Sequence, residues 1–109
     1  MKEKYEIIWS EQAMSDLGSI ADHLSADSEE AALAMLSKLE ARAEKLHTLP
    51  HRGRVVPELL AIDVNGYREL VESPYRILYR IAKDEVLVVA VLDGRRDLAS
   101  ILLARLLDR

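Results

Sequence analysis

The apolar positions at the start of the chain alternate and then change to a helical spacing. Residues 4–9 alternate polar and apolar, and their aromatic and β-branched side chains predict a short strand. Ser10 is suited to cap a following helix. The apolar stripe of that helix recurs at spacings of four, three and four residues: Ala13, Leu17, Ile20 and Leu24. A strand and an amphipathic helix ending near Leu24 are therefore predicted.

A second helical pattern follows a short break. Asp27 is a good N-cap residue, and Glu30 stands three residues later, as in a capping box. Apolar side chains then repeat at four and three residues: Ala32, Leu36, Leu39, Ala43 and Leu46. The helix should stop at Leu49, because the residue before Pro50 is disfavoured in the α region. The two helices are predicted to form a hairpin with one shared apolar side.

Turn-forming residues interrupt the chain from His51 to Gly66. Gly53, Pro57 and the Asn65-Gly66 pair predict a segment that is mostly loop. A loop of about sixteen residues is longer than most connections in compact domains, which favours a functional role.

Three strands and a helix are predicted in the last third of the chain. The strands cover 67–72, 75–81 and 86–92, and the short connections between them indicate an antiparallel meander. Segment 86–92 is apolar throughout, so it should be central and buried on both faces, with helices packed on one of them. The helix from Leu98 to Leu107 is apolar around its circumference and must dock on the sheet, a second copy or a partner. The prediction is a single α+β domain over residues 1–109.

Composition excludes several kinds of chemistry. The chain has no cysteine, which excludes disulfides, Cys-ligated zinc, iron–sulfur clusters and a thiol nucleophile. Its three histidines lack a metal-ligand spacing, so neither a metal nor a cofactor is expected. No apolar window approaches the roughly 18 residues of a membrane span, and no signal peptide is evident, so a cytoplasmic protein without membrane contact is expected.

Charge is distributed unevenly along the chain. The net charge of −4 argues against a general nucleic-acid binder. However, the first 49 residues carry a net charge of −5, whereas the remainder carries +1 and nine of the ten arginines. Arginine suits phosphate and carboxylate ligands, so this segregation favours an anion-facing surface after residue 50. Local pairing of these arginines with Glu69, Glu72 and Asp97 is the alternative.

Four short motifs distinguish this second part. They read His51-Arg-Gly-Arg-Val-Val-Pro-Glu-Leu59, Tyr67-Arg-Glu-Leu70, Tyr75-Arg-Ile-Leu-Tyr-Arg-Ile81 and Gly94-Arg-Arg-Asp97. In this order, behind a strand and a helical hairpin, they resemble the RelE/ParE family of bacterial toxins. The resemblance implies a compact fold with the hairpin against a mostly antiparallel sheet.

The resemblance also implies partners. Toxins of this family have a cognate antitoxin, which for a ParE-like toxin is expected to be ParD-like with a ribbon-helix-helix domain. One branch resembles RelE, a ribosome-dependent ribonuclease that cuts mRNA. The other resembles ParE, which cleaves nothing and inhibits DNA gyrase. Gyrase is therefore the expected target, and the ribosome with its mRNA is the alternative.

The resemblance places three electrostatic residues of a ribonuclease on this sequence. By position, Arg68, Arg76 and Arg96 match the basic residues of the RelE branch. The RelE branch has a second basic residue two positions after the first, and this chain has Leu70 there. The branch also has a catalytic tyrosine beyond the arginine turn, where this chain has apolar residues around Leu102. No histidine follows His51 and no tyrosine follows Tyr79, so the proton-transfer groups are missing. We therefore favour the ParE-like branch and predict no catalytic residues.

Seven arginines are candidates for binding the target or the antitoxin: Arg52, Arg54, Arg68, Arg76, Arg80, Arg95 and Arg96. Several have structural alternatives. Arg76 and Arg80 could pair with Glu69 or Glu72, Arg54 could anchor the loop to Glu58 or a carbonyl, and Asp97 could cap the last helix. An amphipathic acidic antitoxin segment is expected in the groove of the helical hairpin and on the arginine-bearing sheet face.

Overall fold

A mixed five-stranded sheet forms the centre of the fold. The computed structural model describes residues 4–107. The strands are β1 (Glu6–Trp9), β2 (Arg54–Val55), β3 (Tyr67–Glu72), β4 (Tyr75–Ala82) and β5 (Glu85–Asp93). The helices are α1 (Glu11–Ser25), α2 (Glu29–Glu44), α3 (Pro57–Leu60) and α4 (Leu98–Leu107). The strand order is β1-β5-β4-β3-β2, with β1 parallel to β5 and the other pairs antiparallel. The predicted α+β class and meander are confirmed.

The helical hairpin covers one face of the sheet. The Ser10 hydroxyl caps α1 by accepting a hydrogen bond from the Ala13 amide at 3.0 Å. The apolar stripes of α1 and α2 meet the sheet residues that alternate toward them, including Ile77 and Tyr79, both fully buried. Trp9 is half-buried against the same cluster, so it serves the core as its position in the alternating strand indicates.

The second helix differs from the prediction at both ends. Its N-cap is Ser28, whose hydroxyl accepts from the Ala31 amide at 3.1 Å, and not Asp27. The Asp27 amide donates to the Leu24 carbonyl at 3.1 Å, so Asp27 still belongs to the turn that ends α1. At the other end, α2 stops at Glu44 and a 3-10 turn, Lys45–His47, leads to Pro50.

Helices α3 and α4 cover the second face of the sheet. Helices therefore lie on both faces, whereas the sequence predicted them on one face only. The cluster between them contains buried residues from the loop, the sheet and the last helix: Val56, Leu59, Leu78, Ala90, Leu92, Leu98 and Leu102. Of the three docking options for the last helix, the sheet is the one found.

The segment 51–66 contains more regular structure than predicted. Arg54 and Val55 form a short edge strand that pairs antiparallel with β3, and Pro57 begins the single-turn helix α3. Proline at the first helical position is favourable because its missing N–H would have no partner there. Two residues are too few for a periodic pattern, which is why the sequence alone indicated only a loop.

Strand β5 supplies both cores, as its uninterrupted apolar sequence predicted. A bulge between the Leu78–Ala90 and Tyr79–Val88 pairs adds Val89 to β5. The alternation of β5 therefore shifts: Val88 and Val91 pack under the hairpin, whereas Ala90 and Leu92 pack under α3 and α4. Strand β1 pairs with β5 only as far as Val88, immediately before the bulge.

Candidate functional site

Arg76 lies at the centre of a buried ion-pair network on the α3/α4 face. Its guanidinium donates to both Glu58 carboxylate oxygens at 2.7 and 2.8 Å and, through Nε, to Glu69 at 2.6 Å. The Glu69 side chain is fully buried, and its second oxygen accepts from Arg54, whose side chain is 62% exposed. Two carboxylates thus neutralise the one buried arginine, and the network joins β4, β3, β2 and α3.

The electrostatics of this network keep its charges fixed. The hydrogen bonds from Arg76 lower the pKa of Glu58 below its ordinary 4.5, although burial acts in the opposite direction. The same bonds raise the pKa of Arg76 above its already high ordinary value. Near neutral pH, Arg76 is therefore a permanently charged cation whose donors are committed to protein carboxylates.

Arg68 and Tyr79 attach the segment after α2 to the sheet. The Arg68 guanidinium donates to the Gly53 carbonyl at 2.7 Å. The Tyr79 hydroxyl donates to the Pro50 carbonyl at 2.7 Å and accepts from the Gly53 amide at 3.0 Å. Gly53 is required here, because a Cβ at this position would lie 2.5 Å from the Tyr79 hydroxyl oxygen.

Replacing Tyr79 with phenylalanine is expected to lower the free energy of unfolding by about 1–3 kcal/mol. The substitution leaves the Pro50 carbonyl and the Gly53 amide without their buried partner. Urea denaturation monitored by the fluorescence of Trp9 measures the change. Tyr67→Phe is the matched control, since the Tyr67 hydroxyl makes no hydrogen bond with a described residue; an equal loss in both variants would contradict the assignment.

The three arginines that match ribonuclease residues do not converge. Arg68 lies directly opposite Tyr79 and therefore on the hairpin face, whereas Arg76 lies on the α3/α4 face. Arg96 follows β5, which ends opposite Tyr75. Along β4 the partner of Arg68, Tyr79, and the partner of Asp93, Tyr75, are four residues apart, which is about 13 Å, and Arg96 lies three residues beyond Asp93. The fold thus distributes these three charges over both faces and both ends of the sheet.

Arg80 lies in a row of side chains across the open part of the α3/α4 face. Register pairs place Tyr67, Arg80, Leu87 and Ile8 side by side on β3, β4, β5 and β1. Arg80 is exposed and forms no ion pair with a described residue, while the three apolar neighbours are half-buried. Of the other candidates, Arg52 is also exposed and unpaired within residues 4–107.

The turn before α4 contains the remaining two candidates. Arg95 forms a two-pronged ion pair with Asp93, at 2.9 and 2.6 Å, which lowers the pKa of Asp93 to about 2. Asp97 accepts from the Ser100 amide at 3.2 Å, as the capping prediction indicated. The Arg96 side chain is exposed and forms no ion pair or side-chain hydrogen bond with a described residue, although its charge helps to lower the pKa of Asp93. Arg96 lines a groove of about 420 Å³ between α1, α4 and the end of β5.

Asp16 and Arg105 form a further ion pair, which the sequence did not predict. Asp16 on α1 is buried and accepts from the Val91 amide at 2.9 Å and from Arg105 on α4 at 2.8 and 3.0 Å. The pair joins the helices on the two faces around the edge of the sheet. The sequence contains two signals for this pair. Asp16 interrupts the apolar stripe of α1 between Ala13 and Ile20, and Arg105 is the one charged residue in α4.

Residues 4–107 contain neither a cluster of metal ligands nor a helix that could span a membrane. No group of three or more histidine, aspartate or glutamate side chains in this range is arranged to hold a metal ion. No helix within the same range has the length and hydropathy needed to cross a bilayer.

Comparisons with known proteins agree with this fold. The family model described as the ParE toxin of type II toxin-antitoxin system, parDE, matches residues 7–98. Toxin RelE2 of Caulobacter vibrioides is 33% identical over 92 residues, which are 84% of this chain and 97% of that protein. Toxin ParE3 of the same organism is 32% identical over 69 residues, 63% of this chain and 65% of that one. A solved structure titled "Chromosomal ParDE TA system from P. aeruginosa" has a TM-score of 0.70 at 22% identity, covering 83% and 96% of the two chains.

The strand, helical hairpin, meander and last helix define a toxin of the RelE/ParE class. The chain belongs to the ParE toxin family of type II toxin–antitoxin systems. Its two relatives have names from both branches of the class, so the branch must be argued from the chemistry of the site.

Proposed function

We propose that this chain is a ParE-like toxin that inhibits DNA gyrase without catalysing a reaction and is neutralised by a cognate antitoxin. The observation that carries the proposal is the position of Arg76. Its guanidinium is held between Glu58 and Glu69, so it is not available to stabilise the negative charge of a phosphorane.

The tyrosines support the same conclusion. Cleavage of RNA by its own 2′-hydroxyl needs a group that accepts a proton near neutral pH. Burial raises the pKa of Tyr75 and Tyr79, so both remain protonated. The Tyr79 hydroxyl is in addition occupied by Pro50 and Gly53. Neither side chain is suited to act as a general base.

The name of one relative favours the alternative function. Toxin RelE2 is the relative with the larger matched share of this chain, and a RelE-like toxin would cut mRNA on the ribosome. That activity would need Arg68, Arg76 and Arg96 near one phosphate. Their placement on both faces of the sheet argues against it.

Purified gyrase provides the direct test. We expect the protein to abolish supercoiling of relaxed plasmid at concentrations close to that of gyrase, while mRNA on translating ribosomes remains intact. The control is the same protein incubated first with the antitoxin encoded beside its gene, which should restore supercoiling. Unchanged supercoiling together with codon-dependent cuts in mRNA would reject the proposal in favour of the ribonuclease.

A further inference from the structure

The groove at the end of β5 exists because β5 is longer than its neighbour. β1 pairs with β5 no further than Val88, whereas β5 continues to Asp93. Beyond the end of β1, the groove of about 420 Å³ has α1 on one side, and Arg96 of the turn before α4 and Arg105 of α4 on the other. The edge of a β-strand therefore forms part of its wall.

Backbone groups of this edge have no strand partner. The Val91 amide points away from β4, because it donates to Asp16. The N–H and C=O groups of Asp93, two residues further on, point the same way, because these groups point to opposite sides on successive residues of a strand. Within the described residues no strand lies beside this part of β5. The Val91 carbonyl and the Asp93 amide therefore point toward the side of β5 on which the groove lies, and no described strand pairs with them.

These two groups define the direction of a strand that could bind them. In a parallel pair, one residue donates its N–H to a carbonyl and accepts from the amide two residues further along the neighbouring strand. The Val91 carbonyl and the Asp93 amide have this relation. An antiparallel partner would instead bond to the amide and carbonyl of one residue, and Asp16 already occupies the Val91 amide. The edge is thus suited to a parallel strand that continues the direction of β1.

The charges in the groove favour an acidic ligand. Asp16 is paired with Arg105, and Asp93 is paired with Arg95. Arg96 lines the groove, is exposed and forms no ion pair or side-chain hydrogen bond with a described residue, although its charge acts on nearby Asp93. A carboxylate in the groove could accept two hydrogen bonds from its guanidinium.

We propose that the groove binds an extended acidic segment of the antitoxin, which adds to β5 as a parallel strand beyond β1 and places a carboxylate on Arg96. The inference rests on the proposed function, because it presumes that the chain has an antitoxin. A helical segment would not bind this edge in the same way, since its backbone groups are already paired within the helix.

Two variants test the groove against the antitoxin encoded beside the gene. Arg96→Glu reverses the unpaired charge, and Ser19→Trp fills the groove from an exposed position of α1. Each is expected to raise the dissociation constant at least tenfold in isothermal titration calorimetry. The controls are Lys83→Glu, an exposed cation in the turn between β4 and β5, and Ser37→Trp, an exposed position of α2. The controls are expected to change the constant less than twofold.

Hydrogen exchange tests the strand itself. Exchange of the Asp93 amide should slow at least tenfold when the antitoxin binds, because that amide gains an acceptor. Thermal unfolding of each variant verifies that it is folded before binding is measured. Unchanged exchange at Asp93 would overturn the proposed pairing.

The outcomes separate this inference from the proposed function. Weak binding by Lys83→Glu, with normal binding by both groove variants, would overturn the inference and leave the toxin–antitoxin function in place. If the unmodified protein does not bind the antitoxin, this inference and the proposed neutralisation by the antitoxin are both rejected. Light scattering measures whether the toxin forms a dimer without antitoxin. A dimer that Ser19→Trp disrupts would mean that a second copy occupies the groove, which would also overturn the inference.

Discussion

Replacing Arg76 with alanine is expected to lower the free energy of unfolding by about 3–5 kcal/mol, which is the cost of removing one partner from a buried ion pair. Glu69 is fully buried and would retain Arg54, a side chain that is 62% exposed, as its sole cation. Glu58 would lose both hydrogen bonds to its carboxylate and, with them, the link between α3 and the sheet. Urea denaturation at pH 7 measures the loss.

Arg54→Ala is the matched control, because Arg54 bonds to the same carboxylate from the solvent side. The Arg54 side chain is 62% exposed, so water can reach the group it leaves, and we expect a loss of about 1 kcal/mol, well below that of Arg76→Ala. Equal losses in the two variants would show that Arg76 does not have the central role assigned to it. A loss below about 1 kcal/mol for Arg76→Ala would do the same.

The acid dependence of stability gives an independent measurement of the network. The pKa of Glu58 is lowered in the folded protein, mainly by the hydrogen bonds from Arg76. The ionised carboxylate therefore stabilises the fold fully above its ordinary pKa of 4.5, and this contribution is lost as the pH falls through the lowered value. In Arg76→Ala the pKa returns toward 4.5, so the slope of stability against pH below 4.5 should decrease.

The local elements of this fold follow from the sequence because their signals are local. Strand β3 has the predicted bounds, and α1 ends one residue beyond the predicted Leu24. The N-cap of α2 was wrong by one residue, because Asp27 and Ser28 are both good caps and the turn after α1 decides between them. The second helix layer was missed, because α3 is a single turn whose packing depends on contacts with α4 and the sheet.

The arginines show where sequence reasoning reaches its limit. The motifs mark Arg76 as a candidate binding residue, and pairing with Glu69 or Glu72 was the predicted alternative. The choice between ligand binding and internal pairing depends on register, since Glu69 and Arg76 lie on the same face of neighbouring strands. Glu58 completes the site from α3, an element that the sequence did not predict. Three-dimensional placement therefore shows the internal pairing of Arg76, which the sequence offered only as an alternative to ligand binding.

Asp16→Ala is expected to lower the free energy of unfolding by about 2–4 kcal/mol, because one carboxylate has two structural roles. It accepts from the Val91 amide where β1 no longer covers β5, and it holds Arg105 of α4 through two hydrogen bonds. Alanine would leave a buried amide without an acceptor and a half-buried guanidinium without a counter-charge. Asp16→Asn can still accept from the amide, so about half of the loss is expected to return.

A double-mutant cycle separates the two roles. Arg105→Met removes the charge but retains most of the length of the side chain, and it leaves the Asp16–Val91 hydrogen bond intact. If Asp16 acts on α4 through Arg105, the losses of Asp16→Asn and Arg105→Met should be less than additive by about 0.5–3 kcal/mol. Additive losses would mean that the two residues contribute independently, and that apolar packing, including that of Leu98, Ile101 and Leu102, holds α4 on the sheet.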